Sequence, residues 1–226
     1  MSSVISGVGS YLPTLRITNQ DFIAHRFFKD IDQPFEDSNE LIIQKFQEIT
    51  GIQERRYAQK EQTNSDLGIL AARKALAAAQ IDPEELDYII FAHNFGAVRF
   101  ASNHLDMLPA LAARVKHALG IENPNCVAYD MLFGCPGWIE ALIQAHLFIK
   151  AGAAKHCLVI GSETLSRVVD PHDRDSMIFA DGAGACILSE DTSSESGILA
   201  HATQTFTKDE AYFLNNGPSL NSKHHI

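Results

Sequence analysis

Tyr129-Asp130-Met131-Leu132-Phe133-Gly134-Cys135-Pro136-Gly137-Trp138 is the stretch on which the fold turns. It opens as a short β-prone run and bends through Phe133-Gly134. From there it predicts a helix through Trp138-Ile139-Glu140-Ala141-Leu142-Ile143-Gln144-Ala145-His146-Leu147-Phe148-Ile149, reaching about Ala151. Pro136 suits the first helical position, where its missing N–H costs nothing and its φ is already helical. The helix is apolar almost all round, a pattern that predicts burial.

This arrangement puts Cys135 at the join of a strand and a helix. A thiol there meets unpaired backbone N–H groups and the positive end of the helix dipole, both of which favour the nucleophilic thiolate. The same residue also fits a small hydrophobe used for packing, since free cysteines are often buried. Local sequence leaves both uses open.

Outward from this unit, apolar β-rich runs alternate with helical segments. Tyr88-Ile89-Ile90-Phe91-Ala92 reads as a strand covered on both faces, Cys157-Leu158-Val159-Ile160-Gly161 as another buried strand, and Cys126 to Met131 as a strand. Ile178-Phe179 and Ala185-Cys186-Ile187-Leu188 read as two more, split by a turn at Asp181-Gly182-Ala183-Gly184, and Gly197 to Phe206 as a further strand. Helices are predicted from Thr18 or Asn19 to about Phe28, from a Ser38 cap to Ile49 with Gly51 as its terminator, from Leu67 to Ala79, and from Leu108-Pro109 to Leu119. Val4 to Pro13 reads as a first strand; its Gly7-x-Gly9 pair lacks the third glycine of a dinucleotide loop and serves the strand and its turn. The pair Arg55-Arg56 reads as solvated surface. The whole predicts a layered α/β architecture around a buried sheet.

The totals agree. The chain has 226 residues, 46% hydrophobic and 20% charged, which fits a packed globular protein. A formal net charge of -10 argues against nonspecific nucleic-acid binding. Cys126, Cys135, Cys157 and Cys186 show no CxxC spacing, so reduced thiols and a cytoplasmic location are expected. No leader and no membrane-crossing run is expected, and no His/Cys spacing supports a metal site.

Six separate stretches then agree on one family. They are Gly7-Val8-Gly9-Ser10-Tyr11-Leu12-Pro13; Thr50-Gly51-Ile52 with Glu54-Arg55-Arg56; Tyr129-Asp130 leading to Gly134-Cys135-Pro136-Gly137-Trp138; Leu158 to Glu163; Asp170-Pro171-His172-Asp173-Arg174-Asp175; and Asp181-Gly182-Ala183-Gly184-Ala185. In this order they resemble the β-ketoacyl-acyl-carrier-protein synthase III group of the thiolase superfamily. The resemblance implies a thiolase-like layered αβα fold with a mixed, mostly parallel sheet, of which this chain carries the first of two pseudo-repeated halves. Residues 1–190 would be the nucleophile-bearing half, and 191–226 a linker and the start of the second.

The implied chemistry is acyl transfer. Cys135 would take an acyl group from acyl-CoA, then give it to malonyl-acyl carrier protein with loss of CO₂, in fatty-acid biosynthesis. A thiolase-fold enzyme of secondary metabolism or a non-catalytic scaffold are the alternatives. Arg174 matches a family arginine at the coenzyme A entrance, although Asp170, Asp173 and Asp175 compete for it. The resemblance implies acyl carrier protein and acyl-CoA as partners, a homodimer, no permanently bound cofactor, and no membrane or nucleic-acid partner. Lys45 and Ile49 stand where the family carries a Trp and an Arg that clasp coenzyme A. The family's catalytic His and Asn lie in the second half, so these 226 residues alone are expected not to complete condensation.

Overall fold

The computed structural model describes residues 2–102, 104–192, 196–213 and 217–223. In chain order its strands and helices are β1 (Ser2–Tyr11), β2 (Leu15–Thr18), β3 (Phe28–Asp30), β4 (Gln33–Pro34), α1 (Asn39–Thr50), β5 (Glu54–Tyr57), α2 (Asn64–Ala79), β6 (Tyr88–His93), β7 (Ala97–Val98), β8 (Leu105–Asp106), α3 (Leu111–Ala118), β9 (Val127–Leu132), α4 (Gly137–Lys150), β10 (His156–Thr164) and β11 (Asp181–Asp191). They fall into two compact units.

The first unit takes Met1–Leu12, Lys60–Glu163 and Gly182–Thr203. Among the described residues its sheet runs β1-β11-β10-β6-β9. β6 pairs in parallel with both β10 and β9, whereas β1 is antiparallel to β11, so the sheet is mixed as expected. The chain passes from β6 through α3 to β9, then back through α4 to β10 on the other side of β6. Right-handed crossovers in opposite directions put α3 and α4 on opposite faces. α2 packs on β1 and on α3, and α4 on β6, β1 and β9, completing the αβα layers.

The core follows from the continuous apolar runs: Ile89, Ile90, Phe91, Leu158, Val159, Ile160, Ile187 and Leu188 are wholly buried. Gly7 and Gly9 let β1 approach α2 closely. A Cβ on Gly7 would stand 2.4 Å from the Ala75 carbonyl oxygen, and one on Gly9 2.3 Å from that of Ala71. The weak dinucleotide pattern is therefore a seat for α2 on β1. α2 itself starts with a capping box, in which the Thr63 N–H and hydroxyl both donate to Asp66 at 2.7 Å.

The second unit takes Pro13–Gln59, Thr164–Asp181 and Gln204–Ile226. β2 and β5 form an antiparallel ladder, and β3 and β4 a second. α1 is capped by Ser38, whose side chain accepts from the Leu41 N–H, and ended by Gly51 at φ 70°. Phe22, Phe27, Ile42, Ile43, Phe46 and Met177 form its core.

Several sequence expectations are corrected here. Arg55 is not solvated surface: it is 4% exposed, donates to Asn19 Oδ1 at 2.8 Å and to the Met177 carbonyl at 3.0 Å, and lies over the Phe22 ring. Its long stem and planar head fill a core position that polar satisfaction makes tolerable. The helix expected from Thr18 to Phe28 is only a 3-10 turn at Asn19–Phe22. Ile178 belongs to the 3-10 turn Arg174–Ile178, not to a strand. Asp181-Gly182-Ala183-Gly184 is no turn but the start of the single strand β11, its small residues paired with Ser10 and Tyr11. Residues 197–206 carry no strand. α4 begins at Gly137 with Pro136 as its cap, and it is not buried all round: Ile139 and Leu147 are 51% and 47% exposed. Residues 193–195 of the expected linker and His224-His225 lie outside the described residues.

Candidate active site

Three parallel strands of the first unit end along one edge. His93 of β6 pairs in register with Leu132 of β9, and Ala92 with Gly161 of β10. Because the chain reverses direction across the sheet here, the carboxyl ends of these strands border the crevice where open α/β sheets place their ligands. Asn94, Cys135 and Glu163 all sit at this edge, just beyond or on the last residues of β6, β9 and β10.

Cys135 lies in the turn between β9 and α4 and is exposed. Gly134 makes the turn, with φ 81°, a left-handed conformation that side chains resist. The turn closes through the Gly137 N–H on the Gly134 carbonyl at 3.0 Å. Gly137 is buried, and a Cβ there would meet Ala92 at 3.4 Å and Phe133 at 3.1 Å, so α4 starts tight against β6. By contrast Cys126, Cys157 and Cys186 are buried. Burial pushes the Cys157 and Cys186 thiols up to about 12 and that of Cys126 upward as well. Cys135 is the thiol that a reagent or substrate can reach.

Beneath the turn lie two polar clusters. His93 is buried and accepts the Gly96 N–H on Nδ1 at 3.0 Å, which leaves the ring proton on Nε2. That nitrogen lies 3.1 Å from Asp130 Oδ2, close but off the line of a full hydrogen bond. Asp130 also accepts the Leu111 and Ala112 N–H groups at 2.7 and 2.8 Å, capping α3. Burial alone would raise the Asp130 carboxyl, but His93 and these N–H groups outweigh it and hold the group below its ordinary range. In the second cluster Glu163 Oε2 accepts the Asn94 backbone N–H at 2.7 Å and Asn94 Nδ2 at 3.0 Å. Its Oε1 accepts from Asn64 Nδ2 at 3.4 Å.

The family described as 3-Oxoacyl-[acyl-carrier-protein (ACP)] synthase III matches residues 129–206, the span from β9 into β11 and beyond. Beta-ketoacyl-[acyl-carrier-protein] synthase III 1 of Vibrio vulnificus (strain YJ016) is 40% identical over 201 residues, covering 88% of this chain and 56% of that protein. Beta-ketoacyl-[acyl-carrier-protein] synthase III of Sphingopyxis alaskensis is 36% identical over 222 residues, covering 96% of this chain and 61% of the relative. Along nearly its whole length the chain is thus similar to β-ketoacyl-acyl-carrier-protein synthase III proteins. The crystal structure of 3-oxoacyl-[acyl-carrier-protein] synthase III from Aquifex aeolicus VF5 superposes with a TM-score of 0.67 at 37% identity, over 84% of this chain and 55% of that one. The thiolase-like fold expected from the sequence is thus established. The chain spans between half and two thirds of the length of these synthase III relatives.

The other synthase III positions singled out in the sequence fall in the second unit. Arg174 opens a 3-10 turn, is about half exposed, pairs with Asp175 at 3.3 Å and stacks over Phe35. Of the competing carboxylates, Asp175 is thus the one that engages it. Lys45 pairs with Asp37 at 2.8 Å, and Ile49 is 83% exposed on α1.

His146 is buried in α4 against Ser3, with Nδ1 2.7 Å from the hydroxyl. His172 Nδ1 lies 2.9 Å from the Arg26 carbonyl oxygen. Among the described residues no cluster of His, Cys, Asp or Glu could hold a metal ion, and no helix is long and apolar enough to cross a membrane. Sequence reasoning missed His93, Asn94 and Glu163 as neighbours of the Cys135 edge. The available signal was a carboxylate closing the apolar run Cys157 to Gly161, a place where a charge needs a partner.

Proposed function

We propose that the protein is a condensing enzyme of fatty-acid biosynthesis whose nucleophile is Cys135. The observation that carries this reading is the location of the one exposed thiol, in a strand-to-helix turn at the carboxyl edge of the sheet. In the loading step the Cys135 thiolate attacks the thioester carbonyl of an acyl-CoA. A carbon–sulfur bond forms to Cys135, and the coenzyme A thiolate departs and takes up the proton. The Cys135 backbone N–H, just ahead of α4, helps hold the tetrahedral oxyanion. In the second step malonyl-acyl carrier protein loses CO₂, and its carbanion takes the acyl group from Cys135.

Arg174 is the proposed cation for the coenzyme A phosphates; to serve it exchanges its Asp175 contact for phosphate, a stronger charge-assisted partner. Residues 1–190 form the nucleophile-bearing part and 191–226 the passage out of it. The partners are acyl-CoA and acyl carrier protein, and a second copy of the chain, for which the sheet-edge position of β9 is the supporting feature. No resident cofactor is needed, and the location is cytoplasmic.

The test is intact-mass spectrometry after mixing with acetyl-CoA, on wild type and Cys135→Ala. A single acetyl adduct that disappears in Cys135→Ala is the expected result. Adducts spread over Cys126, Cys157 and Cys186, or none at all, would overturn the assignment.

A further inference from the structure

Asn94 has an orientation that its neighbours dictate. A carboxylate oxygen only accepts, so the side of the carboxamide facing Glu163 must be Nδ2, and Oδ1 is turned the other way. The backbone N–H of Asn94 donates to the same oxygen, which ties main chain and side chain to one anchor. Glu163 is itself steadied by Asn64 Nδ2, whose second contact is the Gly96 carbonyl at 3.2 Å. The outward Oδ1 lies 3.9 Å from where a Cβ on Gly134 would stand, one residue before Cys135. Among the described residues Asn94 enters only as a donor, and it is half-buried.

An acceptor oxygen held beside a nucleophile opposes the negative charge that develops in acyl transfer, so Asn94 is no part of an oxyanion hole. What it can take is a donor. We propose that Asn94 Oδ1 accepts a hydrogen bond from an N–H or O–H carried by the thioester that Cys135 attacks. Asn94 is then a specificity-determining residue of the loading step, and Glu163 is the positioning residue behind it. The inference rests on Cys135 being the nucleophile. The donor has two sources: the amide N–H of the pantetheine arm, a few bonds from the reacting sulfur, or a hydroxyl on the acyl group.

The experiment compares early-time acyl loading of Cys135, read by intact mass, in wild type and Asn94→Ala. Three thioesters separate the sources: acetyl-CoA, 3-hydroxybutyryl-CoA, and S-ethyl thioacetate, which carries no donor. The expected result is an unchanged rate with S-ethyl thioacetate and a loss of roughly five- to tenfold, the worth of one hydrogen bond, with a donor-bearing substrate. Loss with acetyl-CoA assigns the amide; loss with 3-hydroxybutyryl-CoA alone assigns the hydroxyl. Equal loss with all three, or no loss with any, overturns the proposal.

Glu163→Leu frees the carboxamide to turn over and is expected to reproduce the selective loss. Glu163→Gln keeps an acceptor for Nδ2 and is expected to stay within about twofold of wild type. Should Asn94→Ala fail to fold, Asn94→Ser carries the same comparison, with the fold checked by Trp138 fluorescence. Wild type that loads from none of the three thioesters refutes the Cys135 reading itself, a result distinct from an absence of selectivity.

Discussion

Replacing Asp130 with alanine removes the acceptor on which the start of α3 depends. The carboxylate takes the Leu111 and Ala112 N–H groups at 2.7 and 2.8 Å, and both residues are wholly buried, so water cannot readily replace it. Loss of a helix cap costs about 1 kcal/mol, and a buried donor left unpaired about 1–3 kcal/mol. The His93 contact adds less because it is poorly aligned. Together these give a loss of about 3 kcal/mol for Asp130→Ala. The assay is urea unfolding followed by the fluorescence of Trp138, the chain's one tryptophan, which belongs to the same unit. Hydrogen exchange at Leu111 and Ala112 should speed up in parallel.

The pH dependence gives a second check on the same group. The folded Asp130 carboxyl lies below its ordinary value of 3.8, so its stabilisation is full above that pH and fades as pH falls through the folded value. Asp130→Ala should therefore flatten the acid limb of the stability curve below about pH 4. A loss under about 1 kcal/mol, with Leu111 and Ala112 still protected, would refute the capping argument.

Three further outcomes follow from other positions. Gly9→Val puts a side chain 2.3 Å from the Ala71 carbonyl oxygen and must push α2 off β1, so the thermal midpoint should fall by well over what Gly184→Ala, with open space at its Cβ, produces. Arg55→Leu leaves the Met177 carbonyl and Asn19 Oδ1 without their donor, and denaturation should show a loss of about 2–4 kcal/mol, against about 0.5 kcal/mol or less for Arg56→Ala on the neighbouring half-exposed position. His146 is held below its ordinary value of 6.5 by burial first, then by Lys150 and His201. The unfolded chain therefore binds the proton more readily, and stability complete above about pH 6.5 should decline as pH falls toward the folded value. His146→Gln should remove that slope, as acid titration of the melting temperature will show.

The sheet was legible in sequence because its inner strands β6 and β10 carry continuous apolar runs. Tyr88 to Ala92 and Cys157 to Gly161 could be nothing but covered strands, and both were. Where the signal failed, tertiary context had overridden composition. Asp181-Gly182-Ala183-Gly184 has the residues of a turn, yet pairing with β1 holds it extended, and small side chains suit a strand that stays close to its neighbour. Arg55 reads as surface because its charge dominates any scale. Only the structure reveals the Asn19 and Met177 oxygens and the Phe22 and Phe46 rings that receive it.

The site divides along the same line. The place of Cys135 at a strand-to-helix turn was legible because its setting is local: a glycine that bends, a proline that caps and an apolar helix follow one another within a few residues. Asn94 and Glu163 were not, since 69 residues separate them and nothing in either neighbourhood announces the other. Parallel pairing is what joins them. It aligns the ends of β6, β9 and β10 so that residues remote in sequence become neighbours at one edge. A carboxylate at that edge then needs donors, and the donors it takes fix which face of Asn94 is left for substrate. The turn that exposes Cys135 is thus written in a contiguous motif, whereas the polar pair proposed to govern selectivity beside it is written in the register of the sheet. Glu163→Leu should accordingly change which thioester is accepted at Cys135, and Glu163→Gln should not, without touching any residue of the Cys135 motif.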